Sequence, residues 1–403
     1  MKNTNTRIAL IILSLLVFSG CSWFGGGDDE PEEIKPNPLP KIRTETSLKV
    51  IWNKKIGKGV DDKALRIEPK IVRKRVFVGT PDGNIRALGS ESGREIWAVN
   101  VKDFFSEAAL ASGFPRNLDV ITGGIEADSE LVLLCSGSGH LVALNQSDGS
   151  FAWKTQISSE SLAPPKIDGD LVVVQTVDGK VSGYESLDGS LRWEYAAKTP
   201  SLSLRGTATP SIFEDIVIAG FSNGRVAFIT RDEGLAALEQ SVGVSQGISD
   251  LERLVDVDGA MAIENNGLFI SGYQGRLLAI DLRGGKLLWE QEASSIVGLG
   301  VGFGNVYLVS ADSQVIAFNA GSGREVWRVD SLLNRGLNSP LVLGSYLMFS
   351  DYEGYVHLLA QSDGRFVGRK KIDSLGVGAR LIEKEGRIYA MGNGGSLFAL
   401  EIR

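Results

Sequence analysis

Along most of the chain, five-residue apolar runs follow a glycine at regular intervals. They read NIRAL after Gly83, HLVAL after Gly139, KVSGY after Gly179, RVAFI after Gly224, RLLAI after Gly275, YVHLL after Gly354 and SLFAL after Gly395. QVIAF after Ser313 fills the one gap in the series. Runs of this length, bounded by Gly, Asp and Asn, predict short β-strands rather than helices. The anchors stand 38 to 56 residues apart, and fourteen residues beyond the first seven stand Trp97, Trp153, Trp193, Leu238, Trp289, Trp327 and Gly368. With only seven tryptophans in the chain, five at one offset mark an internal repeat.

Each of the eight units reads as four strands: one before a turn, one ending at the anchor, one after it, and one carrying the tryptophan. Glycine at the anchor suits a hairpin that needs positive φ, and the later SDG, LDG or DEG supplies the next turn. Eight four-stranded units of this spacing predict an all-β fold, an eight-bladed β-propeller, with each tryptophan packed between neighbouring blades. The eighth unit stops at Arg403, before its tryptophan, whereas VIWNKKIG (50–57) carries Trp52 with no anchor before it. The first strand is therefore expected to complete the last blade, a closure that removes both sheet edges.

Composition adds a separate N-terminus. Lys2 and Arg7 precede the apolar run IALIILSLLVF (8–18), then Ser19, Gly20 and Cys21. The run is too short to span a bilayer and reads as a secretory signal, residues 1–20. Cys21 resembles the acylated cysteine of bacterial lipoproteins, although Phe18 stands where an aliphatic residue is usual. With Ser22 rather than Asp following, that resemblance implies lipid anchoring at the outer membrane, on its periplasmic side. Residues 21–47, with three consecutive glycines, an acidic run over 28–33 and four prolines, read as an extended tether. Residues 48–403 are the expected propeller.

Loss of the two cations Lys2 and Arg7 would take the formal charge from −7 to −9, which disfavours nucleic acid as a partner. Cys135, the only other cysteine, lies in the apolar strand LVLLC and is expected to be an inert core residue.

The stretch ALNQSDGSFAWK (143–154) resembles the tryptophan motif of pyrroloquinoline-quinone (PQQ) dehydrogenases, which implies quinoprotein-like blades. Those enzymes also share an adjacent cysteine pair beneath the quinone, and this chain has none. Asp82, Asp148, Asp178, Asp188 and Asp363 sit beside turn glycines, where they serve backbone geometry. His140 and His357 stand at different offsets from their anchors and read as ordinary strand residues. GLGVGFG (298–304) lacks dinucleotide spacing and leads into a strand. No catalytic residue, metal site or cofactor is assigned. A PQQ-dependent dehydrogenase-like enzyme remains the alternative, and a funnel that binds glycan or peptide is a third reading.

Two units are long, accommodating 102–119 and 242–259, and TPSLSLRGTATP (199–210) precedes the fourth blade. Extra length on a rigid scaffold is where binding tends to lie. With the lipoprotein signal, the acidic tether and the eight blades, PSLSLRG and SDLERLVDVDG resemble the BamB family, scaffold lipoproteins of the β-barrel assembly machinery. The resemblance implies a non-enzymatic propeller that binds the POTRA domains of BamA and assists insertion of outer-membrane proteins. It matches partner-binding residues to Leu202, Leu204, Arg205, Asp256 and Asp258. The residues themselves leave a second arrangement open, with both leucines in the blade core and Arg205 paired internally with Asp256 or Asp258. Unfolded outer-membrane substrates, captured by strand addition, are a further partner.

Overall fold

The computed structural model describes residues 35–60, 65, 67–105, 120–200, 208–243 and 254–403, with a compact body from Pro36 to Arg403. Its strands form eight four-stranded antiparallel sheets. The first blade is Lys70–Val72, Arg75–Gly79, Asn84–Gly89 and Glu95–Asn100, running from the axis outward. The next six repeat that order over 123–156, 166–196, 211–241, 262–292, 300–329 and 341–371. In the eighth, Ile382–Lys384, Arg387–Met391 and Ser396–Ile402 are completed by Leu48–Lys55, with Leu48 opposite Ile402 and Lys55 opposite Ser396. The expected eight-bladed propeller and its closure by the first strand are both present.

Because neighbouring sheets face each other, the hydrophobic core is divided into layers between blades. One layer joins Phe77 and Trp97 of the first blade to Val132 and Leu134 of the second. The last joins Tyr389 and Leu397 of the eighth to Val76 and Val78 of the first.

The tryptophans lock these layers. Trp97 donates its indole N–H to the Gln146 carbonyl of the next blade at 3.0 Å, and Trp153 does the same to Ser186 at 2.9 Å. Trp52 closes the ring by donating to Ser90 of the first blade at 3.1 Å. Each ring lies on the glycine of the following turn: a Cβ on Gly149 or Gly189 would come within 2.6 or 2.5 Å of the indole. Those glycines also adopt φ of +75° and +74°, so both the backbone and the ring exclude a side chain. The outer-strand tryptophans face a small residue on the third strand: Ala87 opposite Trp97, Ala143 opposite Trp153, Gly183 opposite Trp193, Ala399 opposite Trp52. Where the tryptophan is absent the partner is large, Phe228 opposite Leu238 and Leu358 opposite Gly368.

Three expectations need correction. In the fifth blade the positive φ falls on Gln274 (+47°), one place before Gly275. Closure of the ring does not remove sheet edges, since each blade keeps its own outer strand as one. The expected tether is also bound over its last dozen residues. Asn37 donates its amide to Leu333 at 2.9 Å, Leu39 packs beside the sixth and seventh blades, and Arg369 donates to the Pro40 carbonyl at 2.9 Å. Glu45 and Thr46 then donate to the Val367 carbonyl. Proline and acidic composition prevents a core of its own but does not prevent an extended segment from lying on a blade already built.

Candidate partner-binding site

In an antiparallel four-stranded blade, the anchor turns and the connections between blades lie on the same face. Of the proposed partner-binding residues, Leu202, Leu204 and Arg205 lie outside the described residues, as does Cys21. Asp256 and Asp258 are described, on the connection from the fourth blade to the fifth.

Valines hold that connection down. Val257 is fully buried, donates its amide to Phe221 at 3.3 Å and covers Gly220, where a Cβ would meet the Val257 carbonyl at 2.4 Å. Val255, also buried, packs over the anchor Gly224. Strand-like alternation would turn Asp256 toward solvent, but its backbone pairs with Tyr273 of the fifth blade, which donates to it at 2.7 Å. The Asp256 side chain is consequently 2% exposed, and its Oδ2 is buried with no hydrogen-bond partner among the described residues. Burial pushes its carboxyl up to about 8, and the nearby charge of Asp258 adds to the rise. Asp258 is half-buried and borders an axial cavity of about 70 Å³ together with Thr209. Described residues of both connections therefore border the same axial cavity.

On the axis, Glu126 lies 2.5 Å from Lys70 and 3.7 Å from Lys166, and Arg380 pairs with Glu68 at 2.9 Å. These pairs border a second cavity of about 210 Å³. Each of these two carboxylates already has a cation, so neither is a bare oxygen ligand of the kind calcium requires. Of the aspartates beside turn glycines, Asp148, Asp188 and Asp363 serve the backbone, accepting from the amides of Ser150 at 2.9 Å, Ser190 at 2.9 Å and Arg365 at 3.2 Å, whereas Asp82 accepts from the side chains of Thr80 and Asn84 and Asp178 from those of Thr176 and Ser158. Cys135 is fully buried, and desolvation pushes its thiol up to about 12, in keeping with an inert core residue.

His357 is more than an ordinary strand residue. It is fully buried, with Nε2 3.0 Å from Asp351 Oδ2, and Arg335 donates from Nε to the same oxygen at 2.9 Å. Arg335 also pairs with Glu353 and donates to the Asn37 carbonyl at 3.0 Å, so this buried cluster grips the bound N-terminal segment. Burial pushes the imidazole below its ordinary value. Burial alone would raise the Asp351 carboxyl, but the bonds from His357, the Tyr355 amide and Arg335 outweigh it and hold it low. A signal was present: Asp351 occupies the place held by Thr80, Ser136, Thr176 and Ser310 in other units.

The model of the family described as "Outer membrane protein assembly factor BamB" matches residues 81–329 and 311–403. The chain belongs to the BamB family. It is 35% identical over 395 residues to the BamB of Pseudomonas aeruginosa, covering 98% of each chain. It is 30% identical over 389 residues to that of Escherichia coli K12, covering 96% of this chain and 97% of the other. The crystal structure of BamB from Moraxella catarrhalis superposes with a TM-score of 0.78 at 26% identity, over 88% of this chain and 99% of that one. The quinohemoprotein alcohol dehydrogenase of Comamonas testosteroni gives a TM-score of 0.69 at 11% identity, over 88% and 76%. That second likeness is one of fold. The BamB relatives are named as assembly factors for outer membrane proteins, and no described helix of this chain is long and apolar enough to cross a membrane.

Proposed function

We propose that this chain is a non-enzymatic scaffold lipoprotein of the outer-membrane β-barrel assembly complex, held by lipid on Cys21 at the periplasmic side of the outer membrane. Residues 1–20 are its signal, and residues 21–47 are the tether that links Cys21 to the propeller. The propeller binds the POTRA domains of BamA through Leu202, Leu204 and Arg205 on one connection and Asp256 and Asp258 on the next. The observation that carries this reading is the buried Asp256 carboxyl at the seam between the fourth and fifth blades, which has no cation and, at Oδ2, no hydrogen-bond partner among the described residues. An isolated buried carboxyl is costly unless protonated or paired. A partner domain that covers the connections and orders a cation against Asp256 offsets that cost, while leucines on the adjoining connection supply apolar contact.

The test is affinity purification of the full lipidated chain from solubilised outer membranes. A Leu204→Ala, Arg205→Ala double variant is expected to retain at least tenfold less BamA while its thermal melt is unchanged. Undiminished recovery of BamA would remove the proposed site. A Cys21→Ala control is expected to lose membrane retention, separating the anchor from the protein contact.

A further inference from the structure

The outer strand of the fourth blade, Ala236–Ser241, has no buried residue, whereas those of the first three blades bury their tryptophan. Leu238, in the tryptophan place, is 39% exposed and the preceding Leu235 is 60% exposed. The docking turn on the next blade is nevertheless intact. Gly285 keeps a φ of +62°, but the nearest atom to a Cβ there is Leu238 Cδ2 at 3.5 Å, where the indole-covered glycines show 2.5 to 2.7 Å. Leu238 and the buried Phe228 opposite it together take the place of the ring, and over Gly285 only Leu238 stands within 4 Å.

The edge beside it is open. Among the described residues, no backbone hydrogen bond from outside the blade reaches 236–241. Sheet edges are ordinarily guarded by charge, proline or a bulge. Here the strand AALEQS carries one charged side chain, Glu239, held sideways by Arg225 at 2.9 Å and by the Tyr195 hydroxyl at 2.9 Å. Leu187 and Leu191 on the third blade and Leu287 and Leu288 on the fifth are exposed as well. The seventh blade shows what such an edge accepts: Glu45 and Thr46 of the N-terminal segment donate to its outer strand at Val367.

We propose that the outer strand of the fourth blade is a docking edge for an extended β-segment with alternating apolar side chains and a terminal aromatic, supplied by an outer-membrane β-barrel chain before it folds. Such chains carry strands of about ten residues, apolar on alternate positions, with aromatic residues at the membrane interfaces. Strand addition supplies main-chain hydrogen bonds to the open edge, and the aromatic side chain packs on exposed Leu235 and Leu238 beside Gly285, where tryptophan lies in other blades. The strand leads in sequence into the connection carrying Asp256, which ties the docking edge to the proposed BamA contact. This inference rests on the assembly-factor reading.

The probe is a fluorescein-labelled peptide of about ten residues, alternating Leu and Thr and ending in Phe, titrated by anisotropy into the full lipidated chain in detergent. A Phe228→Ala, Leu238→Trp variant restores the small residue and ring of the other blades. It is expected to bind at least tenfold more weakly, as is Leu238→Glu should the first variant fold poorly. A benzophenone side chain placed at Ala237 is expected to cross-link the peptide, and Arg205→Ala is expected to bind it normally. Equal binding by wild type and both Leu238 variants overturns the proposal, as does a cross-link joining two copies of the chain. Absent peptide binding with BamA recovery intact removes the docking edge and leaves the assembly-factor reading standing.

Discussion

The seventh blade has glycine where most outer strands carry tryptophan, and the fourth has leucine. In the seventh the reason is the closure of the ring. The turn on which a tryptophan would dock does not exist in the eighth blade, because its third and fourth strands are the two ends of the chain, with Ser47 and Arg403 exchanging backbone hydrogen bonds. Thr46 passes over that spot, and a Cβ on residue 368 would lie 2.6 Å from its carbonyl oxygen. The fourth blade has no such seam. Its neighbour keeps the turn glycine, yet among the described residues neither tryptophan nor strap covers it, only Leu238. One substitution fits the closure, and the other leaves a surface open.

The comparison is sharpened most by removing a ring where one is present. Trp153→Ala empties a buried layer and leaves the Ser186 carbonyl without its donor. Unfolding in urea is expected to show a loss of about 3–5 kcal/mol. Leu238→Ala, half exposed and making no such bond, is expected to cost about 1 kcal/mol or less. Comparable losses at the two positions would mean that the fourth blade is packed as tightly as the second.

The seventh blade is opened by releasing its strap. Arg335→Ala removes the group that joins Asn37 to buried Asp351. Because Asp351 keeps His357 and the amides of Glu353 and Tyr355, the expected loss is about 1–3 kcal/mol. Hydrogen exchange is expected to quicken at Asn37, Glu45 and Thr46 first, ahead of the blade strands. If those amides stay protected, the strap is held by other contacts.

Nearly all of the fold is legible in the repeat, because a propeller blade is a local unit and its glycines and tryptophan answer to neighbours at fixed offsets. Even the exceptions were written there: Phe228 and Leu358 stand where Ala or Gly faces a tryptophan elsewhere. The strap was not legible. Asn37 meets Arg335 across 298 positions of sequence, and composition alone reports that residues 36–47 cannot fold unaided, not that a finished blade will hold them. The buried state of Asp256 was hidden for a similar reason. Alternation in LVDVDG directs the valines inward and the acids outward, and only the pairing with Tyr273 of the next blade closes over the first acid.

That closure gives the fourth blade a pH dependence the seventh lacks. With the Asp256 carboxyl raised to about 8, the folded chain binds a proton between about pH 4 and 8 that the unfolded chain releases. The stabilisation is therefore complete below the unfolded value and is lost as pH rises through 8. Wild type is expected to melt at a lower temperature at pH 9 than at pH 6 by a margin that Asp256→Asn largely abolishes. Asp351 lies on the other side of the comparison: its carboxyl is held low, so its contribution is lost on acidification instead. If BamA supplies the missing cation, the alkaline loss is expected to shrink in the complex, measured as the difference in melting temperature with and without the partner. An alkaline loss of the same size in the Asp256→Asn variant would place its source elsewhere.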